Sequence, residues 1–179
     1  AFQFSANAQW QVHEVKHKAD SYPYGVEVPN DHTVWASLWE DASTSQQPYT
    51  NHYLRTKDGG ATWEYKTLSA TSGYVICNLF PLDEDTCYAM MYNENAGSGG
   101  GLFKTTDGGT SWNQIGAGVM FAGASFPDWV YFWDAQHGIA MGDENGPGTP
   151  YLEIYTTSDY GATWTRVPRE NIPSFSDAP

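Results

Sequence analysis

The sequence predicts an all-β protein assembled from three repeats of one four-stranded unit, and three observations predict it. The first is a short pattern present in three copies: Thr56-Lys-Asp58-Gly-Gly60-Ala-Thr62-Trp63, Thr105-Thr-Asp107-Gly-Gly109-Thr-Ser111-Trp112 and Thr157-Ser-Asp159-Tyr-Gly161-Ala-Thr163-Trp164. Their aspartates stand 49 and 52 residues apart, and a fixed period of about 50 residues marks a repeat architecture built from one supersecondary unit. The second is an independent repeat. Thr33-Val34-Trp35-Ala36, Thr86-Cys87-Tyr88-Ala89 and His137-Gly138-Ile139-Ala140 align with alanine spacings of 53 and 51. Each follows a turn holding acidic or amide residues: Pro29–Asp31, Leu82–Asp85 and Trp133–Gln136. The third is residue type. β-Branched and aromatic residues fill the runs between turns, and none sustains a helical period.

Taken in order, residues 1–20 form an N-terminal segment in which Gln9–Val15 reads as an unpaired closing strand, with Trp10 where a pattern tryptophan would stand. Residues 24–68 form the first unit, with strands at Tyr24–Val28, Thr33–Trp39, Tyr49–Thr56 and Thr62–Leu68. Residues 74–115 form the second, with strands at Tyr74–Phe80, Cys87–Tyr92, Leu102–Thr105 and Ser111–Ile115. Residues 129–168 form the third, with strands at Trp129–Trp133, Gly138–Met141, Tyr151–Thr156 and Thr163–Val167. Residues 169–179 read as a linker into a further unit.

The eight-residue pattern closes a turn. Its aspartate (Asp58, Asp107, Asp159) accepts backbone N–H groups just ahead of it. The retained glycine (Gly60, Gly109, Gly161) supplies a positive φ, whereas the glycine before it reads as dispensable because Tyr160 stands there in the third copy. The hydroxyl residue adds a local bond, and the tryptophan (Trp63, Trp112, Trp164) packs at the start of the next strand. The pattern resembles the Asp-box, or BNR repeat, the signature of a broad β-propeller family that includes sialidases, sortilin-type receptors and photosystem assembly factors. That resemblance covers residues 24 to 168 and implies a partial β-propeller of three four-stranded blades. Rings of this kind close with about four to eight blades. The expectation is the first part of a longer propeller; the alternative is a three-blade unit that oligomerises. Either way the expected partners are the remaining blades or a chain that completes the ring.

Composition narrows the function. A formal charge of −13 with only eight Lys and Arg argues against nucleic acid, whose binding relies on basic side chains neutralising phosphates, and against anionic membrane surfaces. No run of apolar residues is long enough for a membrane-spanning helix. Ala6-Asn7-Ala8 has the small-x-small form of a signal-peptidase site, though an ordinary extended N-terminus reads the same way. The resemblance implies a secreted or cell-surface protein, with a periplasmic location as the alternative. It is nearest in character to secreted bacterial Asp-box propellers that use a type IX sorting route.

Sialidases of this family need an arginine triad, and the chain has only Arg55, Arg166 and Arg169. Arg55 and Arg166 flank Asp-box turns, on the rim away from the family's ligand face. The expected function is therefore a non-catalytic binding or scaffold module, with a glycan or a surface protein as ligand. The alternative is a sialidase-like or endoglucanase-like glycoside hydrolase whose carboxylates are largely supplied by further blades.

Two further features remain at this stage. Cys77 and Cys87 fall on adjacent strands, so a cross-strand disulfide and two buried thiols are both open. Four and five residues beyond each repeat alanine stand Glu40-Asp41, Asn93-Glu94 and Glu144-Asn145, the last preceded by Asp143. On a propeller these would form an arc of oxygen ligands suited to Ca²⁺ or sugar hydroxyls, with Trp39, Phe121, Phe126 and Trp129 available to stack on sugar faces. The same residue types are also ordinary in solvated turns.

Overall fold

A computed structural model describes residues 12, 15, 20–40, 49–68, 73–94, 100–121, 126–143 and 152–172. The described residues form twelve strands: β1 (Ser21–Glu27), β2 (Val34–Glu40), β3 (Tyr49–Thr56), β4 (Glu64–Thr67), β5 (Tyr74–Pro81), β6 (Cys87–Asn93), β7 (Gly100–Thr105), β8 (Asn113–Ile115), β9 (Pro127–Phe132), β10 (Gly138–Gly142), β11 (Glu153–Thr157) and β12 (Thr165–Arg166). They form three four-stranded antiparallel sheets, β1-β2-β3-β4, β5-β6-β7-β8 and β9-β10-β11-β12. A 3₁₀ turn at Arg169–Asn171 follows. The expected closing strand around Trp10 lies outside the described residues. Of that segment, Val15 packs with Trp63 on a small cluster of Ala36, Leu38 and Leu54 on the outer face of the first sheet.

The sheets stack face to face. Trp35, Tyr53 and Leu68 of the first sheet meet Ile76, Leu79, Cys87, Ala89, Met91 and Phe103 of the second. Tyr88, Met90 and Leu102 on the other face of the second sheet meet Val130, Phe132, Ala140 and Tyr155 of the third. Strand β6 thus buries alternate residues against two neighbours, and its first six residues are all buried. A strand covered on both faces reads as an unbroken apolar run, which is why Cys-Tyr-Ala-Met-Met-Tyr lacks the polar alternation of a half-solvated strand.

The three pattern turns are closed alike. The first-position threonine hydroxyl donates to the aspartate at 2.8 Å in every copy. The later Ser or Thr hydroxyl donates to the other carboxylate oxygen at 2.6 Å in every copy, and its N–H donates at 2.8–2.9 Å. The fourth strands therefore begin later than the sequence suggests: Thr62 and Trp63 belong to the turn, and β4 starts at Glu64. The position before the retained glycine is also left-handed, with φ 67° at Gly59 and Gly108 and 61° at Tyr160. Its N–H donates to the first turn of the same sheet, at His32, Asp85 and Gln136 respectively. Tyr160 therefore adopts the conformation despite its Cβ, because its backbone is held on both sides.

These bonds hold the Asp58, Asp107 and Asp159 carboxyls down at about 2, the Thr62, Ser111 and Thr163 hydroxyls being the largest cause. A carboxyl whose pKa falls on folding contributes stability above its ordinary value of 3.8, and that contribution is lost as pH drops through about 2. The expected result is a thermal midpoint that falls steeply between about pH 4 and pH 2, followed by circular dichroism. Asp107→Asn should flatten that part of the profile.

Both cysteines are free thiols. Register explains why no bridge forms: Cys87 pairs with Pro81, four residues beyond Cys77, a distance of about 13 Å along a strand against the roughly 7 Å limit for a disulfide. The two also face opposite neighbours, Cys87 in the first interface and Cys77 against the second.

Candidate functional site

The first strands β1, β5 and β9 lie side by side at one edge of the stack. Each carries a bulge against its neighbour at the corresponding place. The pairing of β1 with β2 skips Tyr24, between Pro23 and Gly25. That of β5 with β6 skips Cys77, between Ile76 and Asn78. That of β9 with β10 skips Asp128, between Pro127 and Trp129. A bulge re-aims the side chain it carries, and the three re-aimed residues converge. Tyr24, Cys77 and Asp128 line one recess of about 90 Å³ together with Val75, Tyr92, Phe126 and Trp129. An adjoining recess of about 180 Å³ shares Tyr24, Cys77 and Trp129 and adds Gly25, Glu27, Ser37, Asn78 and Leu79.

The walls are aromatic. Tyr92 and Phe126 stack at 4.0 Å, and Tyr24 stacks on Trp39 at 4.9 Å. Asn78 is anchored, its Oδ1 accepting from the Val130 N–H at 3.1 Å and its amide donating to the Leu79 carbonyl at 3.3 Å. Desolvation, with the Asp143 charge adding to it, raises the Asp128 carboxyl to about 6. Glu27 is also raised by desolvation. Burial, with Asp128 second, pushes the Cys77 thiol up to about 12, which keeps it protonated and unreactive at neutral pH.

A carboxyl raised on folding destabilises the fold once it ionises. The favourable contribution is complete below the ordinary value of 3.8 and is lost as pH rises through about 6. Asp128→Asn is therefore expected to raise the thermal midpoint at pH 7, with the gain vanishing below about pH 4. A variant no more stable than the parent at pH 7 would contradict the placement of this carboxyl.

The acidic and amide residues expected to form an oxygen-ligand arc are distributed differently. Glu40 is engaged within its own sheet: its Oε1 accepts from the Tyr65 hydroxyl and lies against His52 Nδ1, both at 2.7 Å. Asn93 ends β6 and Glu94 follows it, its N–H donating to the Gly73 carbonyl at 2.8 Å. The Asp143 N–H donates to the Phe126 carbonyl at 2.8 Å, which brings its carboxylate toward Asp128. Asp41, Glu144 and Asn145 lie outside the described residues. Among the described residues no three His, Cys, Asp or Glu side chains gather in a group able to hold a metal ion. Of the aromatics, Phe126 and Trp129 line the recess, whereas Phe121 is buried in the core. Tyr24 and Asp128 were not apparent as site residues in the sequence. One signal pointed to them: Tyr24, Cys77 and Asp128 each stand twelve residues before a repeat alanine.

Three stacked four-stranded antiparallel sheets, with first strands gathered at one edge, define the chain as part of a β-propeller. Solved structures of similar fold agree. YCF48 from Cyanidioschyzon merolae matches at a TM-score of 0.58 and 18% identity, over 90% of this chain and 44% of that one. YCF48 bound to a D1 peptide matches at 0.52 and 22%, over 82% and 39%. A GH74 xyloglucanase from Xanthomonas campestris matches at 0.53 and 16%, over 76% and 19%. The chain thus spans less than half the length of these propellers. No family model and no curated protein matches it. Among the described residues no helix is long and apolar enough to cross a membrane.

Proposed function

We propose that this chain is an exported, non-catalytic binding module of the Asp-box type, displayed at a cell surface, that takes its ligand at the recess lined by Tyr24, Cys77 and Asp128. The convergence of three equivalent bulge residues on one aromatic recess carries the proposal, since ligand sites are concave, mostly apolar and equipped with few polar groups. The threonine–aspartate–hydroxyl bonding shared by the three pattern turns supports the Asp-box assignment. The acidic charge and the Ala6-Asn7-Ala8 sequence support export, with type IX sorting as the route. A peptide held by one matched propeller supports partner binding by this architecture. Further blades, in the same polypeptide or in a partner chain, would close the ring against the outer face of the third sheet, where Ile139 and Met141 flank the Ala140 that packs on the second sheet.

A second function has a specific observation in its favour. A carboxyl held at about 6 beside another carboxylate is the arrangement of a general acid in glycoside hydrolysis. Reducing-end release from xyloglucan and aglycone release from an aryl sialoside separate the two. No release by the wild type is expected. Release abolished by Asp128→Asn would replace the binding module with a hydrolase. Antibody labelling of intact against permeabilised source cells tests display, and labelling only after permeabilisation would remove it.

A further inference from the structure

The occupant of this recess can be argued from its charge. No Lys, Arg or His lines either recess, whereas Asp128 and Glu27 do. Among the described residues no basic group pairs with Asp128 and no donor reaches its carboxylate, although Asp143 adds negative charge beside it. The ring-bearing walls, Tyr24, Tyr92, Phe126 and Trp129, come from three different sheets. A half-desolvated carboxylate among aromatic faces is complemented by a weakly hydrated cation that the ring quadrupoles can stabilise. An uncharged sugar could bring hydroxyl donors to Asp128 but no positive charge to balance it.

We propose that the recess is a binding site for an alkylated ammonium head group, with Asp128 as its counter-ion and Tyr24, Tyr92, Phe126 and Trp129 as its aromatic walls. This deepens the binding-module proposal and rests on it. The titratable and charged residues around Asp128 are Cys77 of β5, Tyr24 of β1 and Tyr92 of β6, which line the same recess, and Asp143 after β10, with Glu27 in the adjoining recess. Cys77 stays neutral across the range used below. Of the two raised carboxyls, Asp128 lines the aromatic recess itself and Glu27 only the adjoining one, so charge on Asp128 governs the pH response.

The probe is choline, compared by isothermal titration and saturation-transfer NMR with 3,3-dimethylbutan-1-ol, its uncharged carbon analogue. Choline is expected to bind in the millimolar range, at least about tenfold tighter than the alcohol. Its affinity should rise about tenfold from pH 5 to pH 7 as Asp128, at about 6, loses its proton. Asp128→Asn should weaken it about tenfold and abolish the pH dependence. Trp129→Phe, which retains an aromatic face, should weaken it less than Trp129→Ala, and thermal midpoints confirm that each variant is folded. Equal affinity for choline and the alcohol, a flat pH profile, or an unaffected Asp128→Asn variant would each overturn the ammonium assignment. Cellobiose separates the two levels: saturable binding of cellobiose but not choline, lost in Trp129→Ala, ends the ammonium proposal and leaves a binding module at this recess. Binding of neither probe ends both.

Discussion

Replacing Arg55 by alanine is expected to cost about 3 kcal/mol of unfolding free energy, read from the urea midpoint at constant slope. Arg55 is 5% exposed and acts as a pin between the first and second sheets. Its Nη1 donates to the Gly108 carbonyl in the pattern turn of the second sheet. Its guanidinium lies 5.1 Å over the Trp35 ring, and its Nε is 3.3 Å from Glu64 Oε2. Alanine removes the donor, exposes the Trp35 face and leaves the Gly108 carbonyl to Lys66, at 3.1 Å. Arg55→Lys keeps charge but loses the planar fork, so it should fall between the two. A loss below about 0.5 kcal/mol, the level of an ordinary surface substitution, would show that the sheets are joined by apolar packing alone.

Tyr88→Ala is expected to cost more, about 4 kcal/mol. The Tyr88 ring is fully buried, lies 4.6 Å from Phe132 and carries Lys104 Nζ at 4.9 Å from its centroid. Its hydroxyl donates to the Tyr160 carbonyl at 2.6 Å, and Lys104 donates to the same oxygen at 3.2 Å. This is the arrangement at Arg55 moved along by one sheet: an aromatic on the second strand, a cation on the third, and the left-handed residue of the next sheet's turn as acceptor. Tyr88→Phe removes only the hydrogen bond and should cost about 1 kcal/mol. Equal losses for the two variants would mean that the hydroxyl, not the ring, carries the contact. The third sheet has Ile139 and Thr156 at the corresponding positions, so the device joins sheets one to two and two to three and is not repeated on the outward face of the third.

Much of the fold was legible because its signals are local. The Thr-to-Asp and Asp-to-Ser/Thr bonds span two to four residues, so an eight-residue pattern specifies each turn wherever it occurs. The first turns are likewise self-contained, with Asn30, Asp83 and Asp134 each accepting the two N–H groups just ahead. Strand count, order and approximate bounds follow from these turns and the residue types between them.

The candidate site was not legible in the same way. Glu40 and Asn93 stand at equivalent positions and Asp143 one residue earlier in its repeat, yet Glu40 is engaged by His52 and Tyr65 and it is Asp143 that approaches the recess. The recess depends on bulges, and a bulge is a mismatch between two strands that neither strand's sequence encodes alone. A tyrosine, a cysteine and an aspartate share no side-chain chemistry to mark them as one site. The chain by itself determined three repeated sheets and the turns that close them, because those interactions join residues within a few positions of one another. Only the tertiary structure decided that Tyr24, Cys77 and Asp128 meet, that Arg55 and Tyr88 lock neighbouring sheets, and that the two thiols stay apart. Each of those outcomes is set by register and stacking between segments far apart in sequence.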